Sequence, residues 1–285
     1  MAIEVLVSKG SAPPPSLLDE VAAAEPVESH RRRVELGGIL LDQVDLAAAV
    51  DRIAAFVRSG QPHHVVTVNL DFLSIANRNP EFEATLNGAD LAVADGMPLV
   101  WLSRLRSERL EERVAGVELV MESCRMGAEL GSSVFLLGAA PGVAEAAGKR
   151  IQESYPGIRI AGTYAPPVGA LTAQENRYII DLIRLAAPDF LFVALGAPRQ
   201  DLWIREHLTE LRVPVAMGVG CVLDLLAGNV RRAPAWMQRG GLEWAFRLVQ
   251  EPGRLWRRYL VNDLPLLARL TLAGPEAKAT EALSA

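Results

Sequence analysis

PDFLFVALGAPRQDLWIREHLTELRVPVAMGVGCVLDLLAGNVRRAPAWMQRGGLEW, residues 188–244, decides the fold. It contains two apolar runs of strand length, Phe190–Leu195 and Val213–Val219, and each gives way through glycine to a helical pattern. A continuous apolar run of this kind is how a parallel strand buried on both faces reads. In α/β proteins the loop after such a strand is where ligands sit. Helix N-termini there offer unpaired N–H groups and the positive end of a dipole, which suits phosphate. Arg199, Gln200, Asp224, Arg231 and Arg232 stand beside these loops. The stretch therefore points to a nucleotide or nucleotide-sugar pocket.

The same strand, glycine and helix rhythm extends towards the N-terminus. Ser133–Leu137, the turn Gly138–Gly142 and the helix Val143–Tyr155 form one such unit; Ile158–Tyr164 and the capped helix Thr172–Ala186 form another. Thr172 with Glu175 three residues on is a capping box. The Gly138 turn lacks G-x-G-x-x-G spacing, so it supports βαβ architecture better than dinucleotide binding. Earlier, a strand pair is expected around Val34–Leu41, a helix over Asp45–Ser59, a strand at His64–Leu70 and a short one at Leu91–Val93. The expected class is α/β, a mostly parallel sheet with helices on both faces.

Polar residues interrupt two of these strand ends. Thr67 and Asn69 either cap backbone or line a pocket, and spacing alone leaves the two readings even. Asp95 sits at a strand–loop–helix junction. By position it reads first as a helix N-cap and second as a general base. Arg113, taken alone, is a surface charge.

Composition sets the outer bounds. A chain of 285 residues, half of them apolar, has a sizeable core. The net charge of −5 argues against nucleic acid as a partner. Cys124 and Cys221, without CxxC spacing, suggest neither a disulfide framework nor a zinc site, and fit a cytoplasmic setting. The four histidines form no ligand pattern, no D-x-D occurs, and no cofactor or metal is expected. Residues 1–32 carry Pro13-Pro14-Pro15 and Arg31-Arg32-Arg33 and read as a tail without a secretory signal. No apolar run is long enough for a membrane span, so a soluble or peripheral protein is expected. From 246 to 272, Arg247, Arg254, Arg257, Arg258 and Arg269 alternate with leucines and aromatics. Such a segment can lie on an anionic membrane or pack on the core with snorkelling arginines. Residues 273–285 read as a frayed end.

Several of these pieces, taken together, resemble the WecG/TagA/CpsF glycosyltransferases (glycosyltransferase family 26). They are TVNLDFL, ADGMPLVW, ERVAGVEL, FLLGAAPGVAE, LGAPRQDLWI, GVGCVLDLLAG, RRAPAWMQRGGLEWAFRLVQEP and RLWRRYL, spanning about residues 35–262. The resemblance implies a Rossmann-like core over 33–245 with a basic C-terminal appendage over 246–272. It implies an inverting, metal-independent transfer of N-acetylmannosamine, its uronic acid or glucose from UDP to a polyprenyl-diphosphate-linked sugar, at the inner face of a bacterial membrane.

On the same resemblance Asp95 matches the catalytic base, which reverses the odds from position alone. Thr67, Asn69, Arg113 and Gln200 match further site residues. Gly138, Ala139, Pro141, Gly196, Gly218, Gly220 and Asp224 match nucleotide-side loops, and Arg247, Arg254 and Arg257 match arginines that approach the diphosphate. Cys221 departs from the family, which often has glycine there. A homo-oligomer is compatible with the exposed apolar residues of the tail. The competing readings are a Rossmann-type oxidoreductase, which the missing fingerprint opposes, and a nucleotide- or lipid-binding scaffold.

Overall fold

The computed structural model describes residues 31–105, 109–167 and 169–272. The tails expected at 1–32 and 273–285 lie outside this set, apart from Arg31 and Arg32. A compact unit begins at Arg33. Arg33–Leu36 (β1) and Ile39–Asp42 (β2) pair antiparallel. Gly37 and Gly38 between them have φ of +59° and +87°, as a Gly-Gly hairpin turn with two positive φ values requires. Leu46–Ser59 (α1) starts at Asp45, whose carboxylate accepts the Ala48 N–H at 2.7 Å, and ends at left-handed Gly60.

The main sheet follows. His63–Val68 (β3) leads into Leu70–Ala76 (α2) and Pro80–Asn87 (α3), then Leu91–Ala94 (β4). Met97–Ser103 (α4) and Gly116–Glu129 (α5) precede Ser133–Gly138 (β5), Val143–Ser154 (α6) and Arg159–Tyr164 (β6). Ala173–Ala186 (α7), Phe190–Ala194 (β7), Arg199–Leu211 (α8), Val215–Gly218 (β8) and Val222–Ala227 (α9) complete the alternation. The capping box of α7 forms as expected, with Glu175 N–H donating to Thr172 Oγ1 and Glu175 accepting from Thr172. Helix α3, which the sequence reading passed over, has proline in its first turn and Asn79 as a side-chain cap.

Six strands form one sheet in the order β4-β3-β8-β7-β5-β6, and every neighbouring pair is parallel. Alternate residues of each strand enter different cores, as a period of two demands. Val65, Leu91, Leu136, Phe192 and Met217 face α1, α5, α6 and α9. Val66 and Ala92 face the β1–β2 hairpin, α2, α3 and α4. Leu137, Leu191 and Ala216 face α7 and α8. Both faces of the sheet are covered, so the continuous apolar runs of β7 and β8 have their physical reason.

After α9 the chain forms Ala235–Arg239 (α10), Glu243–Gln250 (α11) and Pro252–Trp256 (α12). A π-helix over Arg257–Asp263 then runs straight into Leu264–Leu272 (α13). Leu266, Leu267 and Leu270 pack on the β1–β2 and α2–α4 core. Trp256, Leu260, Val261, Leu264 and Leu272 are exposed. The segment thus has one packed face and one apolar face turned outward. Among the described residues no helix is long and apolar enough to cross a membrane.

Phe192 is fully buried between the central strands. Phe192→Ala is expected to cost about 3–5 kcal/mol of stability in urea titrations. Leu185→Ala, at a side chain 86% exposed, is expected to change stability by no more than about 0.5 kcal/mol.

Candidate active site

Because all six strands run parallel, their carboxyl ends share one edge of the sheet. A cavity of about 630 Å³ opens there, lined from the ends of β3, β4, β7 and β8 and from the C-terminal helices. This lies within the size range of small-molecule sites.

Asp95 follows β4 directly, its N–H donating to Val68 O at 2.7 Å and so extending the ladder with β3 by one residue. The capping reading of Asp95 fails here. The N-cap of α4 is Gly96, with no side-chain hydrogen bond. The Asp95 carboxylate instead accepts the N–H of Gly116, the first residue of α5. A Cβ at Gly116 would lie 3.3 Å from both Asp95 Oδ2 and Thr67 Oγ1. Glycine at this position lets a carboxylate and a hydroxyl converge on one helix N-terminus. Asn69 has both roles weighed for it. Its Oδ1 caps α2 by accepting the Phe72 N–H at 3.2 Å, and it also lines the pocket.

Burial pushes the Asp95 carboxyl up to about 6. Arg113 and the Gly116 N–H pull it down, while Glu243 and Glu118 push it up. The side chain is enclosed by protein, with a face open to the pocket. Arg113 is not a lone surface charge. Its Nη1 donates to Glu243 at 2.8 Å and its Nη2 to Glu118 at 3.4 Å. Arg232 joins the same pair of glutamates at 2.5 and 3.8 Å. Two arginines and two glutamates thus form a charge-balanced cluster beside Asp95.

Gln200 is 2% exposed and accepts the Gly220 N–H at 3.1 Å, fixing the loop after β8. Gly218 is demanded by close approach. A Cβ there would fall 2.5 Å from Gln200 Nε2 and still nearer the Asp201 carboxylate. Gly196, Gly220, Asp224 and Arg247 line the cavity; Gly218 does not, and its role is close packing against Gln200 and Asp201.

Not every expected residue reaches this cavity. Gly138, Ala139 and Pro141 are not among its lining residues. A Cβ at Gly138 would lie 2.5 Å from Ala194 O, so this glycine serves the packing of β5 against β7. Arg257 is exposed, its guanidinium 5.3 Å from the Trp256 ring centroid. Arg258 takes the inward place, its Nη2 2.8 Å from Asp71 Oδ2. Arg254 lies in α12, with its side chain outside the described set. Glu118, Glu243 and Asp263 were not singled out from sequence. Glu118 and Glu243 read as ordinary acids in the first turn of a helix, and only the fold brings them to Arg113.

A parallel α/β core gathers a carboxylate and arginines at its strand ends, the edge at which such sheets bind ligands. Residues 34–279 match the family described as "Glycosyl transferase WecG/TagA/CpsF family", and the chain belongs to it. Three relatives share the name N-acetylglucosaminyldiphosphoundecaprenol N-acetyl-beta-D-mannosaminyltransferase. The protein of Bacillus spizizenii is 36% identical over 196 residues, 69% of this chain and 74% of the relative. That of Bacillus subtilis is 33% identical over 216 residues, 76% and 81%. One from Staphylococcus aureus is 30% identical over 231 residues, 80% and 89%.

The raised Asp95 carboxyl has a stability consequence. Between the unfolded value of 3.8 and about 6, the native state holds a proton that the unfolded chain has lost. Stability therefore falls as pH rises through that window and stays reduced above it. Asp95→Asn removes the effect, so the variant should gain on the order of 1–3 kcal/mol over wild type above pH 6, shrinking towards pH 4. Denaturant titrations at a series of pH values measure this.

Proposed function

We propose that the chain transfers a sugar from UDP to a sugar carried on a polyprenyl diphosphate, by a single inverting displacement with Asp95 as general base. The observation that carries this reading is that Asp95, held by the Gly116 N–H, and Thr67 meet beside Gly116 in a pocket rich in arginine. A base works best when its pKa lies near the working pH and it still ionises. A carboxyl at about 6 meets both conditions in a neutral cytoplasm.

In the displacement, an acceptor hydroxyl oxygen bonds to the anomeric carbon as Asp95 takes its proton. The bond from that carbon to the β-phosphate oxygen breaks, and UDP leaves with the electron pair. Charge grows on the diphosphate during this step and needs preorganised donors. Arg247, Arg231 and Arg232 line the pocket, and Gln200 holds the Gly220 loop on the nucleotide side. Arginines and loop N–H groups can supply this stabilisation without a metal. The names of the relatives favour N-acetylmannosamine as donor sugar and N-acetylglucosaminyl-diphosphoundecaprenol as acceptor. The uronic acid and glucose remain the alternatives for a donor panel.

The expected pH profile of kcat/KM rises through about pH 6 with unit slope. Asp95→Asn should reduce transfer by roughly 10²–10⁴-fold while UDP affinity holds. Activity close to wild type in that variant sinks the assignment.

The same reading makes the protein peripheral at the inner membrane face, with the C-terminal helices against lipid. Exposed Trp256, Val261 and Leu272 on a segment rich in arginine support it. Truncation after Gln250 would also remove Arg258, Tyr259 and Asp263 from the pocket wall, so substitution is the cleaner test. Trp256→Ser with Val261→Glu should abolish sedimentation with vesicles containing anionic lipid and leave UDP binding intact. Unchanged sedimentation would show that this face does not meet lipid.

A further inference from the structure

A second group of charges stands at the same cavity, separate from the first, with Asp71, Arg258 and Asp263 in its lining. Asp95 feels Arg113, Glu243 and Glu118. Asp263 feels Asp71, Arg258 and Arg78, and the two sets share no member. Asp71 follows the end of β3, whereas Asp263 closes the π-helix of the C-terminal segment. Asp263 is 5% exposed, it lines the cavity, and its Oδ1 has no hydrogen-bond partner. A buried carboxyl oxygen left in that state keeps a desolvation cost that a donor from a ligand would return.

The chemistry of the group narrows its ligand. Arg258 is 2.8 Å from Asp71 and Arg78 lies close by, so a cation would meet two guanidinium groups. Two carboxyl groups would repel a phosphate. A neutral molecule carrying O–H or N–H donors suits both. Leu260 and Leu264, three residues before Asp263 and one after it, are exposed and line the same end. An apolar rim beside a polar recess fits a sugar that arrives on a lipid.

We propose that Asp263, paired with Asp71, forms a hydrogen-bonding subsite for hydroxyl or amide groups of the lipid-linked acceptor sugar. The proposal rests on the transfer reading above and adds the residues that select the acceptor. Burial, and then the nearby Asp71 charge, push the Asp263 carboxyl up to about 7. Near neutral pH it can therefore either accept or donate a hydrogen bond.

The test uses the full chain, a UDP-sugar donor panel, and a short-chain polyprenyl diphosphate carrying N-acetylglucosamine. Asp263→Ala is expected to raise the acceptor KM roughly 10–100-fold with UDP affinity unchanged. Asp263→Asn keeps an oxygen acceptor and an amide donor, and should recover most of that loss. An unchanged acceptor KM, or a parallel fall in UDP affinity, overturns the proposal. Direct binding of the lipid-linked sugar to wild type and both variants separates this inference from the reading on which it rests. If wild type turns over no donor yet binds this probe at least tenfold more tightly than Asp263→Ala, the transfer reading fails and the subsite stands. Equal binding by wild type and variant removes the subsite.

Discussion

Asp95 carries a charge where burial opposes it, and the pocket is arranged around that conflict. Burial disfavours the carboxylate, and the surrounding charges set how far it ionises. The N–H of Gly116 and the charge of Arg113 favour the ionised form; Glu118 and Glu243 restrain them. Had Arg113 faced Asp95 without its two glutamates, the carboxyl would sit lower and make a weaker base. The pairing of Arg113 with Glu243 at 2.8 Å thus acts on Asp95 and also ties α11 to the loop before α5.

This arrangement depends on sheet topology. The connection from β4 to β5 passes over β3, β8 and β7, and α5 belongs to that crossover. The N-terminus of α5 is thereby brought beneath the ends of β3 and β4, where Thr67 and Asp95 emerge side by side. Across the switch, β7 and β8 contribute the loops held by Gln200, with Gly218 giving the room. The two halves of the cavity therefore come from the two halves of the chain, joined by the β3–β8 pairing.

Much of the fold was legible because burial leaves a plain mark on sequence. β7 and β8 are covered on both faces, so they read as unbroken apolar runs; the capping box at Thr172 announced α7, and apolar spacing announced α1. Helix α3 escaped notice although Asn79 and Pro80 signal its start, because eight residues give little periodicity. Strand order could not be read, since an apolar run does not name its neighbour. In the site, Thr67, Asn69, Asp95 and Gln200 were found at strand ends or helix starts, positions a motif can mark. The partners Glu118 and Glu243 were not: Glu243 lies 130 residues from Arg113, and Glu118 reads as an ordinary acid in the first turn of α5. Arg257 was expected inside and Arg258 was found there. The π-helix begins at Arg257, and its i→i+5 bonding rotates the following residues off an α-helical wheel, an irregularity that the resemblance from which Arg257 was taken does not reveal.

The C-terminal helices complete one wall of the cavity with Arg247, Arg258, Tyr259 and Asp263, although the sheet closes without them. On the ribosome, where the N-terminal part of a chain emerges first, every strand is available for pairing before that wall exists. The wall from Arg247 to Leu267 is thus the last part of the cavity lining to be synthesised.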